Sequence, residues 1–200
     1  MIKAKSLLET WGDLGLSFFL ICLTLDSKTM KGSVFMNYAT IKTLDIANGP
    51  GVRTSLFVSG CRRHCKDCFN PEAWDFNYGQ EFTWETVHEI ERLVNNEHVA
   101  GLSILGGDPF EPENREWIEI LCAYIKYNCG KSIWLWTGYL YEDLKDLPVM
   151  EYLDVLVDGP FEIDKKDLGL YFRGSSNQRV IDVQKSLASR EIVQLEGEWR

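Results

Sequence analysis

The sequence predicts an α/β fold in which a parallel sheet of about five or six strands forms an open or partial βα barrel. Two observations lead to this prediction. Four short apolar runs each end in glycine, and stretches with apolar residues at helical spacing separate the first three. Strand, helix and strand in this order indicate βαβ units with right-handed connections. Five or six such units are too few for a closed eight-stranded barrel.

The predicted strands are short and rich in β-branched or aromatic residues, which is typical of buried sheet. In chain order they are TSLFVSG (54–60), GLSILGG (101–107), SIWLWTG (132–138) and LDVLVDG (153–159), with a last strand in QRVIDV (178–183). A short helix is expected after the last strand.

Three helices are predicted between the strands. Apolar residues recur at helical spacing over 84–94 and again over 117–125. Pro112 lies near the start of the second helix, and Gly130 is its stop signal. A shorter helix is expected from residue 141 to residue 147.

The predicted architecture indicates where functional residues should lie. In parallel α/β sheets, functional loops leave the carboxyl ends of the strands. The segments SGC, GGDP, WTG and VDGP each follow a predicted strand. We therefore expect these four segments to converge at one edge of the sheet.

Composition and charge exclude some classes of protein. The chain has 200 residues, 45% of them hydrophobic and 26% charged, as expected for one globular domain with a sizeable core. A net charge of −9 disfavours a nucleic-acid-binding protein, which usually presents a basic face. The one long apolar run, residues 14–25, is too short to cross a bilayer, so no membrane association is predicted.

Residues 1–35 are expected to lie outside the folded domain. The run at 14–25 lacks the cleavage site of a signal peptide. The segment KGSVFM (31–36) can be encoded by a purine-rich ribosome-binding sequence followed by a start codon. We therefore expect translation to begin at Met36, residues 1–35 to be a non-native or disordered extension, and residues 36–200 to be one domain. The alternative is a flexible or peripheral N-terminal arm.

Three of the six cysteines stand together in SGCRRHCKDCFN, spaced C-x3-C-x2-C. Clustered cysteines in an enzyme-sized chain indicate a reducing compartment, here the cytoplasm, and a metal. Three thiolates suit an iron–sulfur cluster that leaves one iron without a protein ligand, just as a catalytic zinc keeps one position open. The alternatives are three structural cysteines, or a zinc site that His64 completes.

Together with these cysteines, an ordered set of motifs resembles the radical SAM superfamily. Within it, the resemblance is closest to the activating proteins of anaerobic (class III) ribonucleoside-triphosphate reductase. The matching segments are MNY (36–38), DIANGPGVRTSLFVSGC (45–61), CFNPEAW (68–74), LGGDPF (105–110), WLWTGY (134–139), DVLVDGPF (154–161) and FRGSSNQRV (172–180). The resemblance implies a partial barrel of the radical SAM type.

The resemblance also implies an activity. The protein would be an oxidoreductase that cleaves S-adenosylmethionine reductively with a 4Fe-4S cluster. The deoxyadenosyl radical would then take hydrogen from a C-terminal glycine of the large subunit of the reductase. A low-potential donor such as flavodoxin would supply the electron.

Other functions stay open at this point. A related one is the activation of another glycyl-radical enzyme such as pyruvate formate-lyase, and a small deazaguanine-forming radical SAM enzyme is a further relative. From other classes come an iron–sulfur electron carrier and a zinc-stabilised binding module. A carrier would normally protect its cluster with a fourth cysteine.

By the same resemblance, Cys61, Cys65 and Cys68 would be the cluster ligands, and no catalytic residue beyond them is predicted. His64 is expected to face solvent. Cys122 is expected to be a core thiol on the apolar side of the second helix.

The remaining site predictions concern S-adenosylmethionine. Gly106, Gly107 and Asp108 would hold its methionine part, although GGDP is also an ordinary strand-to-helix turn. Many relatives have Glu in the place of Asp108, so this shorter side chain is expected to act less directly.

The segment Asp67, Cys68 and Phe69 would contact adenine, mainly through its backbone. Core packing is the alternative for Phe69.

Three further polar residues, Thr137, Asp158 and Arg173, are expected within reach of the ribose or the carboxylate of the cofactor. The segment NGPGVR (48–53) resembles a flexible loop near the target glycine of glycyl-radical activases. A plain turn is its alternative reading.

Overall fold

A computed structural model describes residues 35–195 of the chain. The prediction that residues 1–35 form an extension therefore falls almost wholly outside the described residues. It stays a prediction, together with the expected start of translation at Met36.

Residues 35–195 form a mixed α/β fold around one seven-stranded sheet. The strands are β1 (Asn37–Asp45), β2 (Arg53–Val58), β3 (Gln80–Glu81), β4 (Gly101–Gly106), β5 (Ser132–Trp136), β6 (Val155–Asp158) and β7 (Arg179–Asp182). Their order across the sheet is β3-β1-β2-β4-β5-β6-β7, so the sheet is open and does not close on itself. The four central strands, β2, β4, β5 and β6, run parallel to one another.

The five strands predicted from sequence are confirmed as β2, β4, β5, β6 and β7. The prediction of a parallel sheet with about five or six strands holds for the middle of the sheet and is wrong at both edges, because β1, β3 and β7 pair antiparallel. A long connection without a crossover helix joins β6 to β7 and allows the chain to return in the opposite direction. At the other edge, β1 is half exposed and β3 has only two residues, so neither shows the apolar run of a buried strand.

Four α-helices accompany the sheet in the described part of the chain: α1 (Trp84–Val94), α2 (Arg115–Cys129), α3 (Tyr141–Leu144) and α4 (Val183–Ser189). A reciprocal pair of hydrogen bonds between Thr83 and Thr86 caps the start of α1. The predicted stop signal of α2 is confirmed, because Gly130 adopts a left-handed conformation with φ 62° directly after the helix. None of these helices has the length and apolarity needed to cross a bilayer.

The third predicted helix is shorter than expected. It ends at Leu144 instead of residue 147, and a separate 3₁₀ turn begins at Pro148. The chain turns between them because Pro148 restricts the residue before it to extended conformations.

The two faces of the sheet have different roles. A continuous row of fully buried side chains crosses the central strands and consists of Leu56, Ile104, Leu135 and Leu156. Helices α1 and α2 cover this face. Because side chains alternate along a strand, the neighbouring positions Phe57, Leu105 and Trp136 point to the opposite face, where they line a cavity.

Candidate functional site

The four segments expected to converge meet at the carboxyl edge of the sheet, where VDGP joins the loop after β5 through the amide of Gly159, which donates to the carbonyl of Tyr139 (3.0 Å). The amide of Gly107, after β4, donates to the carbonyl of Val58 at the end of β2 (2.7 Å). The amide of Asp108 donates to the carbonyl of Gly60 (2.8 Å). The hydroxyl of Thr137, after β5, donates to the carboxylate of Asp108 (2.7 Å). These contacts bring SGC, GGDP and WTG together.

A cavity of about 650 Å³ opens on the face of the sheet opposite α1 and α2. Cys61, Cys65 and Cys68 all line it, although they come from different positions of one loop. Cys61 is buried, and the other two are partly exposed. The three thiols predicted to act together therefore face one common space.

The backbone of the cysteine loop turns sharply, which allows its cysteines to face the same way. Gly60 begins the loop with φ 91°, and His64 and Asp67 adopt left-handed conformations with φ 48° and 55°. The amide of Cys61 donates to the carbonyl of Trp74 (3.2 Å). The imidazole of His64 stacks on the Trp74 ring at 4.6 Å between centroids.

The side chains around the cysteine loop suit an iron–sulfur cluster better than a single zinc ion. The prediction that His64 faces solvent is confirmed, and the side chain stacks on Trp74. Across residues 35–195, no group of three or more His, Cys, Asp or Glu side chains is arranged to hold one metal ion. An iron–sulfur cluster is bound through thiolates on separate irons, so its ligands need not converge on one point.

No fourth cysteine joins the group within the described residues. Cys122 is fully buried in α2, which confirms its prediction as a core thiol. Cys129 lies at the end of the same helix, with its sulfur 3.9 Å from the carbonyl of Glu91. Three thiols on one cavity thus fit a 4Fe-4S cluster that leaves one iron without a protein ligand.

The thiol groups differ in their environment. Burial raises the pKa of Cys61 to about 11, and the negative charges of Asp108 and Glu111 add to the rise. Because a metal binds the thiolate, loading of iron at Cys61 must release a proton.

Two buried polar side chains that were missed in the sequence hold the cysteine loop. The carboxylate of Glu111 accepts from the backbone amide and from the guanidinium of Arg62, each at 2.8 Å. The amide nitrogen of Asn114 donates to the carbonyls of Ser59 and Asp108, each at 2.9 Å. Both residues lie just before α2, where polar residues are expected in any case as helix caps, so no separate sequence pattern marks them.

Gly106 and Gly107 line the cavity, and their lack of side chains serves backbone packing. A Cβ on Gly107 would lie 2.6 Å from the carbonyl oxygen of Gly60 and 2.8 Å from that of Ala73. Gly106 has φ 112°, and a Cβ there would lie 2.5 Å from the carbonyl oxygen of Val58. The two glycines therefore let the turn after β4 press against the cysteine loop. Their contact with methionine stays a prediction.

Asp108 lies on the cavity wall with its carboxylate engaged by the protein. It accepts from the Thr137 hydroxyl (2.7 Å) and from the amides of Gly138 and Phe110 (3.0 Å each). Burial raises the pKa of Asp108, while these hydrogen bonds and the charge of Arg63 oppose that rise. The geometry agrees with an indirect role, since the carboxylate ties the turns after β4 and β5 together.

Arg63, between the first two cysteines, also lines the cavity and was missed in the sequence. Its guanidinium lies 4.3 Å from the centroid of the Tyr139 ring and 3.5 Å from the carboxylate of Asp108. The side chain passes over Gly138, where a Cβ would lie 2.3 Å from it. In the sequence, a charged residue beside cysteines is expected at the surface. Its position on the cavity wall is visible only in the folded structure.

Only part of the segment predicted to contact adenine lines the cavity. Cys68 and Phe69 line the cavity, whereas Asp67 is exposed and does not. Core packing of Phe69 is wrong, because the side chain is 61% exposed and its ring touches Phe161 at 5.3 Å between centroids. An adenine contact of Asp67, Cys68 and Phe69 stays a prediction.

Of the three polar residues expected near the ribose or the carboxylate of the cofactor, two line the cavity and one does not. Thr137 and Arg173 line the cavity. The expectation for Asp158 is wrong, because its carboxylate is fully buried away from the cavity, where it pairs with Arg179 and accepts from the amide of Tyr141 (2.7 Å). This aspartate holds β6 to its neighbours.

Comparisons with known proteins match most of the chain. A family profile described as "4Fe-4S single cluster domain" matches residues 47–181. A relative from Enterobacteria phage T4 is 44% identical over 146 residues, which covers 72% of this chain and 93% of the relative. One from Escherichia coli is 44% identical over 150 residues (72% and 97%), and one from Vibrio cholerae 42% over 148 residues (72% and 96%). All three are named anaerobic ribonucleoside-triphosphate reductase-activating protein.

Proposed function

Because this chain belongs to the family of anaerobic ribonucleoside-triphosphate reductase-activating proteins, we propose that it is a radical SAM oxidoreductase that introduces the glycyl radical into that reductase. The observation that carries the proposal is the placement of Cys61, Cys65 and Cys68 on one cavity without a fourth cysteine among the described residues near them. The cavity also meets the Gly-Gly-Asp turn after β4.

The three cysteines would hold the 4Fe-4S cluster that the family profile describes. When bound, the cluster would supply the one electron that reductive cleavage of S-adenosylmethionine needs, and the deoxyadenosyl product of that cleavage would take a hydrogen atom from the target glycine. The chain's own residues bind and orient. Gly106 and Gly107 hold the methionine part, and Asp108 fixes the wall beside it.

Asp67, Cys68 and Phe69 would contact the adenine of the cofactor, mainly through their backbone. The apolar side chains of Phe57, Leu105 and Trp136 form the floor of the cavity. An apolar floor excludes water, which protects a reactive radical from side reactions.

The open sheet fits the partial βα barrel of radical SAM enzymes, and residues 36–200 form the single radical SAM domain. The target is a C-terminal glycine in the large glycyl-radical subunit of the reductase. A low-potential donor such as flavodoxin supplies electrons in the cytoplasm. The relatives' printed names and the cysteine-lined cavity support the partner and the chemistry.

The test uses protein purified without oxygen, with the cluster reconstituted, mixed with S-adenosylmethionine, a reductant and the organism's anaerobic reductase. We expect the doublet of a glycyl radical in the electron paramagnetic resonance spectrum, and no doublet after Cys61→Ala, Cys65→Ala or Cys68→Ala. Cofactor cleavage without a radical on the reductase would overturn the partner and turn attention to another glycyl-radical enzyme, such as pyruvate formate-lyase. An intact reduced cluster that cleaves no cofactor would overturn the chemistry and indicate an electron carrier.

A further inference from the structure

Arg53, the first residue of β2, is completely buried. Its guanidinium donates to the Ser103 hydroxyl (2.7 Å), the Ser132 hydroxyl (3.0 Å) and the backbone carbonyls of Leu102 (2.7 Å) and Ser132 (3.0 Å). Within residues 35–195, no ion pair joins it to a carboxylate. An arginine is almost never fully buried unless it is paired, so this side chain calls for an explanation.

One of these hydrogen bonds continues into the loop between β1 and β2. The Ser103 hydroxyl, which accepts from Arg53, donates its own hydrogen to the carbonyl of Asn48 (2.5 Å). The next residue, Gly49, packs directly on the arginine, since a Cβ there would lie 2.8 Å from Arg53 Cδ. Arg53 and Ser103 together therefore hold one side of this loop.

The carboxylate of Asp45 holds the other side of the loop. It accepts from the backbone amide of Ala47 (2.9 Å) and from the side-chain amide of Asn48 (2.6 Å). Gly49 and Gly51 turn the backbone with φ 109° and 75°. The segment that resembled a flexible loop thus has a defined shape, which its hydrogen bonds maintain.

The loop lies at the end of the cavity away from the cysteines. Arg53 and Ser132 begin parallel strands, so their network is at the amino edge of the sheet, whereas the cysteine loop leaves the carboxyl edge. A strand of this length spans roughly 20 Å. Ala47 and Asn48 nevertheless line the same cavity as the cysteines. A cofactor held at the cysteines leaves this second end for the molecule that reacts with it.

We propose that Arg53 and Ser103 are positioning residues that hold Ala47 and Asn48 in the shape that receives the glycine-bearing polypeptide segment of the partner enzyme. The inference rests on the proposed function, and what it adds is the role of Arg53 and Ser103 as the anchor of this loop. A loop fixed before binding loses less conformational entropy when the segment arrives. The buried guanidinium is thereby explained, since it anchors a loop through a serine hydroxyl.

Two serines provide a matched pair of variants for the test. Ser103 and Ser132 each accept one hydrogen bond from Arg53, but only Ser103 passes a bond on to the loop; the Ser132 hydroxyl donates to the carbonyl of Ala100 (3.2 Å). Ser103→Ala and Ser132→Ala therefore remove similar contacts of Arg53, and Ser103→Ala alone releases Asn48.

The first measurement is hydrogen–deuterium exchange of the full-length protein without any partner. We expect faster exchange of the amides in residues 46–52 in Ser103→Ala than in Ser132→Ala or the parent. Equal exchange of this peptide in the two variants would overturn the positioning role. This result does not depend on the proposed function, so the two can fail separately.

The second measurement is the rate of glycyl-radical formation as a function of reductase concentration. Loss of one hydrogen bond to the loop should raise the half-saturating concentration about tenfold in Ser103→Ala, with a maximal rate within about twofold of the parent. Ser132→Ala should keep the half-saturating concentration of the parent. Faster loop exchange with an unchanged half-saturating concentration would overturn the role in receiving the segment. Failure of the parent itself to form the radical would overturn the proposed function and this role with it.

Discussion

The three cysteines that face the cavity can be told apart from the other thiols by position alone. Cys129 is a partly exposed residue, as Cys65 and Cys68 are. It lies on α2, however, and does not line the cavity. Cys129→Ser is therefore a matched control for the removal of a ligand.

Replacement of Cys61, Cys65 or Cys68 by serine should reduce the iron of the reconstituted protein from about four atoms per chain to less than half of that. The reason is that each cysteine holds a different iron of the cluster. Iron and sulfide are measured after anaerobic desalting. Cys129→Ser should keep the full content, and an equal loss in all four variants would contradict the assignment.

Asp108→Asn should destabilise the protein by about 1–3 kcal/mol, because an amide cannot accept all the hydrogen bonds that the carboxylate accepts. Thr137 and Phe110 donate to one carboxylate oxygen and the amide of Gly138 to the other, so an amide group in place of the carboxylate leaves one side without its acceptor. The free energy of unfolding in denaturant measures the effect. Asp67→Asn, at an exposed position, should change it by less than about 0.5 kcal/mol. Equal unfolding midpoints for both variants would refute the positioning role of Asp108.

Sequence reasoning located Asp108 because a Gly-Gly-acid turn after a strand is a recognisable pattern. It did not find Arg53, whose side-chain partners Ser103 and Ser132 lie 50 and 79 residues away in the chain. Serine hydroxyls and backbone carbonyls at such distances form no sequence pattern. Burial of this arginine becomes visible only when three strands lie side by side.

Among the elements, the turn after β4 and the end of α2 both contain a glycine, but the two positions require glycine for different reasons. At Gly107, a side chain would collide with the backbone carbonyls of Gly60 and Ala73. At Gly130, a Cβ would meet nothing within 4 Å, and only the left-handed φ of 62° opposes a side chain.

Gly130→Ala should therefore cost about 1 kcal/mol of unfolding free energy and leave the iron content unchanged. Gly107→Ala should cost about 3 kcal/mol, because backbone atoms must move. The displaced backbone belongs to the cysteine loop, so the reconstituted iron should fall as well. Denaturant unfolding and iron analysis of both variants check this contrast. Full iron content in Gly107→Ala would show that the turn does not support the cysteine loop.

The elements found from sequence are those with continuous apolar runs. The central strands bury both faces, so their residues alone identify them. Strand β1 has the sequence NYATIKTLD, and four of its nine residues are exposed. A polar stretch of this kind resembles a loop in the sequence. Its pairing with β2 is visible only when both strands are placed together.

For the whole molecule, residues 35–195 contain the seven strands of the described sheet and the residues that line the cavity. A protein that begins at Met36 should therefore match the full-length chain in iron content, in unfolding free energy and in glycyl-radical yield. Met36 is buried, and its carbonyl accepts from the amide of Phe82 (2.8 Å). The truncated protein must therefore keep Met36. A lower radical yield from the shorter protein would show that residues 1–35 take part.

The sequence also indicated the general architecture correctly, because the βα period and the glycine-ended strands follow from local patterns. The mixed edges of the sheet did not follow, since the direction of an edge strand depends on the path of its connection. The site was predictable to the extent that it lies in loops after buried strands. It was unpredictable where a side chain from another part of the chain, such as Glu111, supports the cysteine loop, and where only the fold places a loop residue such as Arg63 on the cavity wall.

The most direct test of the central claim follows the hydrogen atom itself. The reductase is prepared with glycine that carries deuterium at its α-carbon, and the 5′-deoxyadenosine formed in the complete anaerobic reaction is analysed by mass spectrometry. If the deoxyadenosyl radical takes the hydrogen from glycine, the 5′-deoxyadenosine gains one deuterium in step with the glycyl radical. Unlabelled 5′-deoxyadenosine accompanying a glycyl radical would contradict the account, because the hydrogen would then have left by another route.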